Sequence, residues 1–167
     1  PHARISPAAV RARAAWSLER SCVGSSSVAA LARASGMAPL AVATDGGGST
    51  RIPASCNGVV VLKQSNGVTP HSQVQDAFGN QTYVTPTTRT VGDTALMMQA
   101  MAGEDGSDPW SIGLPATDFI GGAAPHGDLS GKRILVWLSP PGRKASADDA
   151  AAFGTSLKKH VAPGGRL

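Results

Sequence analysis

Ser49 closes the run Thr44-Asp45-Gly46-Gly47-Gly48-Ser49, and that order of residue types suits acyl transfer. A serine hydroxyl becomes a useful nucleophile only when a base takes its proton, and the tetrahedral intermediate then needs donors aimed at its oxyanion. Gly46, Gly47 and Gly48 can supply them, because residues without Cβ adopt positive φ, turn successive N–H groups toward one point and let a substrate carbonyl come close. Read in isolation, the same string also fits a plain glycine turn between two elements. It does not fit a phosphate cradle: the Lys-Ser/Thr ending of a P-loop and the dinucleotide fingerprint are both absent. A Gly-x-Ser-x-Gly elbow fails at Ser49, where Arg51 replaces the second glycine, and at Ser26, where Val28 does.

The other reactive side chains are dispersed. His2, His71, His126 and His160 lack metal-ligand spacing, so no metal is expected, while a Ser-His-Asp triad assembled in space stays open. Cys22 and Cys56 can form at most one disulfide and read more simply as free thiols of a reducing compartment, the cytoplasm. Asp45 and Arg51 bracket the glycine run; spacing alone fits a loop-fixing pair and two solvated charges equally well.

The elements that must position these residues are short. The chain of 167 residues is 41% hydrophobic and 16% charged, enough apolar material for one core, but only 4% aromatic, with 20 glycines and 12 prolines. The core therefore rests on Ala, Val, Leu and Ile between many turns. The net charge of +4 sits largely at the ends, on Arg4, Arg11, Arg13 and Arg20 and on Lys158, Lys159 and Arg166. Without a basic stripe or stacking aromatics, nucleic acid is not an expected partner. No apolar run approaches the roughly 20 residues of a membrane span. The absence of an initiator Met and the Gly164-Gly165-Arg166-Leu167 ending suggest a piece of something longer.

Residues 1–20 read as an irregular N-terminal arm. Val28–Ala34 predicts a helix capped by one of Ser25, Ser26 and Ser27 and stopped at Gly36. Pro39–Ala43 and Gly58–Leu62 read as buried strands, and 64–89 as a long excursion of turns. Thr90 with Asp93 opens a helix whose buried face would carry Val91, Ala95, Met98 and Ala102; Met97, Met98 and Met101 read as core filler. Residues 103–131 read as a surface connection, Ile134–Leu138 as a strand, and Ser146 with Asp149 as the start of a final helix. Alternating strand and helix signals give an α/β class.

Four strings carry a resemblance: Trp16–Ser21, Gly24-Ser25-Ser26, Ala38–Ala54 with its Asp-Gly-Gly-Gly-Ser-x-Arg-Ile-Pro, and Gly58–Lys63, continued by Thr88–Met98 and Leu129–Ile134. Together they closely resemble the signature region of the amidase signature family. The resemblance implies an α/β fold in which this chain supplies part of a mixed β-sheet core with flanking helices. It places the signature at about 21–65 and the remaining sheet and helices at 66–167. It implies Ser49 as nucleophile and Ser25, 24 positions earlier, as a second serine held after a cis peptide at Gly24. It also implies a lysine base, an oxyanion hole from the loop amides, and Gly46, Gly47, Gly48 and Ser26 on the substrate side, with Asp45 and Arg51 in support. A lysine serves as base only when burial keeps it neutral.

No lysine precedes Lys63 in this chain, and Lys63 matches a later, non-catalytic segment, so the base would come from upstream of Pro1. Where the family carries Gly-Gly-Ser-Ser-Gly-Gly, this chain has Val23-Gly24-Ser25-Ser26-Ser27-Val28, and Val28 resists positive φ. The expected partner is a small amide, with no cofactor, no membrane, and a homo-oligomer left open. Two other readings stand beside the amidase: a catalytically inactive remnant with a structural or binding role, and the amidotransferase subunit that makes ammonia for glutaminyl-tRNA. Arg51-Ile52-Pro53 fits the free-standing amidases better than that subunit.

Overall fold

In the computed structural model, residues 13–22, 24–71, 82–124, 136–139, 141–142 and 144–160 are described, and the chain divides into two units, Pro1–Ala124 and Pro125–Leu167. In the first unit, β1 (Arg13–Ala14) and β2 (Ser17–Ser21) pair antiparallel, so residues 13–20 are not the irregular arm their sequence suggests. This hairpin has no alternating pattern of its own. It is tied down from outside by Asn57, whose Oδ1 accepts from the Ala15 amide at 2.8 Å and whose carbonyl accepts from Trp16 Nε1 at 2.9 Å.

α1 spans Ser27–Ala34, where alanines and leucine favour helix, and Gly36 leaves it at φ +76°. β3 covers Ala41–Asp45 and α2 covers Arg51–Asn57, closed by Gly58 at φ +66°. β4 is only Val60–Val61, and β5 is Tyr83–Thr88. The three strands form an antiparallel sheet in the order β3-β5-β4, with Asp45 opposite Tyr83, Ala43 opposite Thr85 and Val61 opposite Thr87. The pairing among the described strands is antiparallel throughout rather than mixed. β3 and β4 are also only half covered; Val42 is 57% exposed on the open face.

The central strand β5 lies inside the segment that reads as turns. Its residues are threonines and a proline, a poor match to an apolar strand, yet Thr85, Pro86, Thr87 and Thr88 are all buried. Thr85 Oγ1 pairs with Thr50 Oγ1 at 2.9 Å, and Thr88 Oγ1 pairs with Thr94 Oγ1 at 2.7 Å. A buried hydroxyl with a partner loses the desolvation penalty that would otherwise keep it outside. Pro86 is tolerated because β4 reaches only Thr87 and Thr88, so one side of the strand is unpaired at its position.

α3 (Val91–Met101) begins as its sequence predicts, with Thr90 Oγ1 accepting from the Asp93 amide at 3.0 Å. Its buried face is rotated from the expected one: Thr94, Ala95, Met97 and Met98 turn inward, whereas Val91 is 60% exposed. The Thr88–Thr94 pair fixes that rotation. The 103–124 segment is built on Asp108, which accepts from the amides of His71 and Trp110, both at 3.0 Å, and it ends in the short helix α4 (Phe119–Gly122).

The second unit contains α5 (Ala147–His160), where Ser146 Oγ accepts from the Asp149 amide at 3.1 Å. Of the expected strand at 134–138, residues 134 and 135 lie outside the described residues and 136–138 form no strand. No helix of the described residues is long and apolar enough to cross a membrane. The architecture is α/β.

Candidate active site

The buried carboxylate of Asp45, at the end of β3, shapes the glycine loop. Oδ1 accepts from the Gly48 amide at 2.7 Å and Arg51 Nη2 at 2.9 Å. Oδ2 accepts from the amides of Thr50 at 3.3 Å and Arg51 at 3.2 Å, and from Arg51 Nε at 2.9 Å. The first amides of α2 thus find their acceptor in Asp45, while the Thr50 side chain caps nothing. The Arg51 side chain, followed by the backbone donors, holds Asp45 far below the usual carboxylate range against the opposing effect of burial. The hydrogen bond to Asp45 in turn raises Arg51. The pairing that spacing left open is therefore formed.

Ser49 lies in this loop, half-buried, one residue before the Thr50 that precedes α2. Gly48 has φ +108°, and a Cβ there would meet Ile52 Cδ1 at 3.0 Å. The Gly48 amide is committed to Asp45. Gly46 and Gly47 are exposed, and their amides and that of Ser49 have no acceptor among the described residues.

The serine turn at 24–27 is held against this loop from two directions. Gly24, at φ +145°, lies so close that an added Cβ would stand 2.9 Å from Pro53 Cδ and 3.0 Å from the Ser49 carbonyl oxygen. The Ser26 hydroxyl donates to the Thr44 carbonyl at 3.1 Å and accepts from the Thr44 amide at 3.3 Å, covering the outer edge of β3. Ser26 is buried, and its hydroxyl bonds the Thr44 backbone. Ser25 next to it is exposed, and neither Ser25 nor Ser49 hydroxyl has a partner among the described residues. No cis peptide occurs among the described residues, so the bond from Gly24 to Ser25 is trans, contrary to the resemblance; the positive φ at Gly24 turns the chain there.

Ser27 and Val28, where the family carries glycines, are absorbed into the first turn of α1 at ordinary negative φ. The Ser27 hydroxyl donates to the carbonyls of Cys22 and Gly24. Lys63 is occupied elsewhere: Nζ donates to the Gln64 carbonyl at 2.8 Å and lies 3.3 Å from the centre of the Tyr83 ring. The His71 ring is turned to the Thr82 carbonyl, with Nε2 at 2.5 Å. His2 and His126 lie outside the described residues. Reasoning from sequence missed the contact of Gly24 with Ser49; a lone glycine immediately before a serine-rich helix start was its only signal.

Residues 5–164 match the Amidase family model, so the chain belongs to the amidase family. An acylamidase of Rhodococcus erythropolis is 45% identical over 119 residues, which are 71% of this chain and 24% of that protein. The GlutamyltRNA(Gln) amidotransferase of Corynebacterium glutamicum (strain R) has a subunit that is 37% identical over 123 residues, 72% of this chain and 25% of that protein. Among solved structures, a bacterial aryl acylamidase of the amidase signature family superposes with a TM-score of 0.58 at 39% identity, covering 65% of this chain and 22% of that one. The chain thus spans about a quarter of the length of the curated relatives it matches.

Proposed function

We propose that this chain carries the nucleophile segment of an amidase that cleaves an N-acyl amide through an acyl-enzyme on Ser49. The observation that carries the reading is the contact of Gly24 with the Ser49 carbonyl, which brings the two serine turns together while neither hydroxyl has a partner among the described residues. Ser49 Oγ attacks the substrate carbonyl carbon, and its proton passes through Ser25 to a neutral lysine. The oxyanion accepts hydrogen bonds from the free amides of Gly46, Gly47 and Ser49. Collapse expels the amine, which takes the proton back from the lysine, and water then releases the acid by the same relay. By the family resemblance the lysine precedes the first serine, and no lysine precedes Lys63 in this sequence.

An acylamidase is favoured over the tRNA amidotransferase by the higher identity, 45% against 37%, and by Arg51-Ile52-Pro53. Neither Cys22 nor Cys56 forms a disulfide, which suits the cytoplasm. The test is hydrolysis of an N-acetyl arylamide by the polypeptide extended upstream of Pro1. We expect turnover that Ser49→Ala lowers by about 10⁴-fold or more. Turnover unchanged in Ser49→Ala overturns the reading. The lack of a lysine before position 63 favours one rival, an inactive remnant, and turnover by the extended polypeptide refutes it.

A further inference from the structure

A cavity of about 290 Å³ lies between three stretches of the first unit: Gly67 with Val68, the end of α3 with the turn after it, and 114–119. None of its lining residues belongs to the glycine loop or to the serine turn. Contacts on all three sides fix the space. A Cβ at Gly67, where φ is +78°, would overlap the Trp110 carbonyl and meet Leu114 Cδ1 at 3.0 Å, so only glycine lets the chain pass this close. The Gly103 amide donates to the Val68 carbonyl at 3.2 Å, and Gln99 Oε1 accepts from the Phe119 amide at 3.0 Å.

Leu114, Pro115, Ala116 and Phe119 give the cavity much of its apolar lining, and Glu104 is the only charged side chain that lines it. The neighbouring carboxylates of Asp105, Asp108 and Asp118 accept from backbone amides. The Glu104 carboxylate has no partner among the described residues. Residues 64–70 and 94–124, which build the cavity, contain no Lys, Arg or His to offset it. The backbone adds charge of the same sign. The Gly103 amide, which would have continued the α3 ladder to the Gln99 carbonyl, is turned to Val68, and the Gln99 carbonyl has no other donor among the described residues. Such unpaired carbonyls are the negative end of the helix dipole.

We propose that this cavity binds a small organic ammonium ion, with an apolar body against Leu114, Pro115 and Phe119 and its charged head at Glu104 and the end of α3. A charge-assisted hydrogen bond to the carboxylate anchors the head, and burial of the body against the apolar lining supplies the rest. At about 290 Å³ the cavity lies just below the range of about 300–1,000 Å³ usual for ligand sites. It therefore admits one ring or a short chain and excludes a nucleotide or a peptide. A bare divalent metal would leave the apolar lining unused, and one carboxylate falls short of the oxygen ligands that calcium or magnesium takes. An anion would meet only charge of its own sign.

The test follows the backbone amides of Gly67 and Gly103 by NMR in the isotope-labelled 167-residue chain as benzylammonium is added at constant ionic strength. Saturable shifts confined to the residues around the cavity are expected. Benzyl alcohol, which keeps the ring and lacks the charge, should need about tenfold higher concentration, the effect of one charge-assisted contact. Glu104→Gln, at an exposed position with no protein contact to break, should weaken benzylammonium about tenfold and leave benzyl alcohol unchanged. Ala116→Trp, which fills the space from an exposed position, should abolish binding of both. The proposal is overturned by the absence of a saturable shift, by equal affinity for benzyl alcohol, or by the same shifts with magnesium chloride. Unchanged benzylammonium binding in Glu104→Gln overturns it as well, and that variant decides alone if Ala116→Trp does not fold.

Discussion

The Asp45 carboxylate and the Arg51 guanidinium meet through two bonds, Nε to Oδ2 and Nη2 to Oδ1, each 2.9 Å long. The carboxylate is buried, while the guanidinium side chain is 51% exposed. Arg51 thus reaches from the surface to cover a charge that also holds the amides of Gly48, Thr50 and Arg51. One side chain sets the course of the backbone on both sides of Ser49. The amides divide accordingly: that of Gly48 holds the loop's shape, while those of Gly46, Gly47 and Ser49 have no acceptor among the described residues.

Asp45→Asn keeps the volume but removes the charge and replaces one acceptor oxygen by a donor. Breaking a buried, multiply bonded carboxylate costs about 3 kcal/mol. Urea unfolding should show that loss with an unchanged m-value, and amide turnover should fall with it because the loop no longer holds Ser49 in place.

The same residue gives a pH dependence whose sign is fixed. The folded pKa of Asp45 is depressed, so its contribution is complete above the unfolded value of about 3.9 and is lost as pH falls below it toward the folded value. Stability from Asp45 should stay flat from neutral pH to about pH 5 and decline in stronger acid. In Asp45→Asn this part of the acid limb should be missing when chemical denaturation is followed across pH.

Gly24→Ala places a methyl 2.9 Å from Pro53 Cδ and 3.0 Å from the Ser49 carbonyl oxygen at φ +145°. Backbone strain and the close contact together should cost about 2 kcal/mol. Because one of the atoms met belongs to Ser49, the proposed nucleophile, kcat should fall far more than the modest loss of stability would explain. A substitution that lowers Tm but leaves kcat intact would show that the 24–27 turn is scaffold only.

Ser26→Ala separates two roles for the second serine of the turn. Among the described residues the hydroxyl bonds only the Thr44 backbone, so its removal should cost about 1 kcal/mol of stability while KM for a small amide stays unchanged. A rise in KM without loss of stability would place Ser26 on the substrate side.

Much of this arrangement is legible in the residues. Thr90 with Asp93, Ser146 with Asp149, and the alanine-rich run before Gly36 act through contacts a few positions apart, and each appears where its local chemistry puts it. The glycine loop is legible for the same reason. β5 is not, because its burial depends on Thr50 and Thr94 meeting Thr85 and Thr88 across the fold, a partnership invisible to a hydrophobic pattern. The hairpin at 13–21 depends likewise on Asn57, more than 40 residues away. Arg33 is the strongest case: nothing in the run Ser27–Ala34 signals that its arginine is buried along with Ser27 and Ala30. The Gly24–Ser49 contact, which joins the two halves of the site, is tertiary in the same sense.

The central claim, that Ser49 is the nucleophile, is tested most directly by a fluorophosphonate on the polypeptide carrying its upstream sequence, with the adduct located by peptide mass. The account predicts one adduct on the peptide that ends at Arg51, absent in Ser49→Ala. An adduct that persists in Ser49→Ala, or that resides on Ser25, would contradict it.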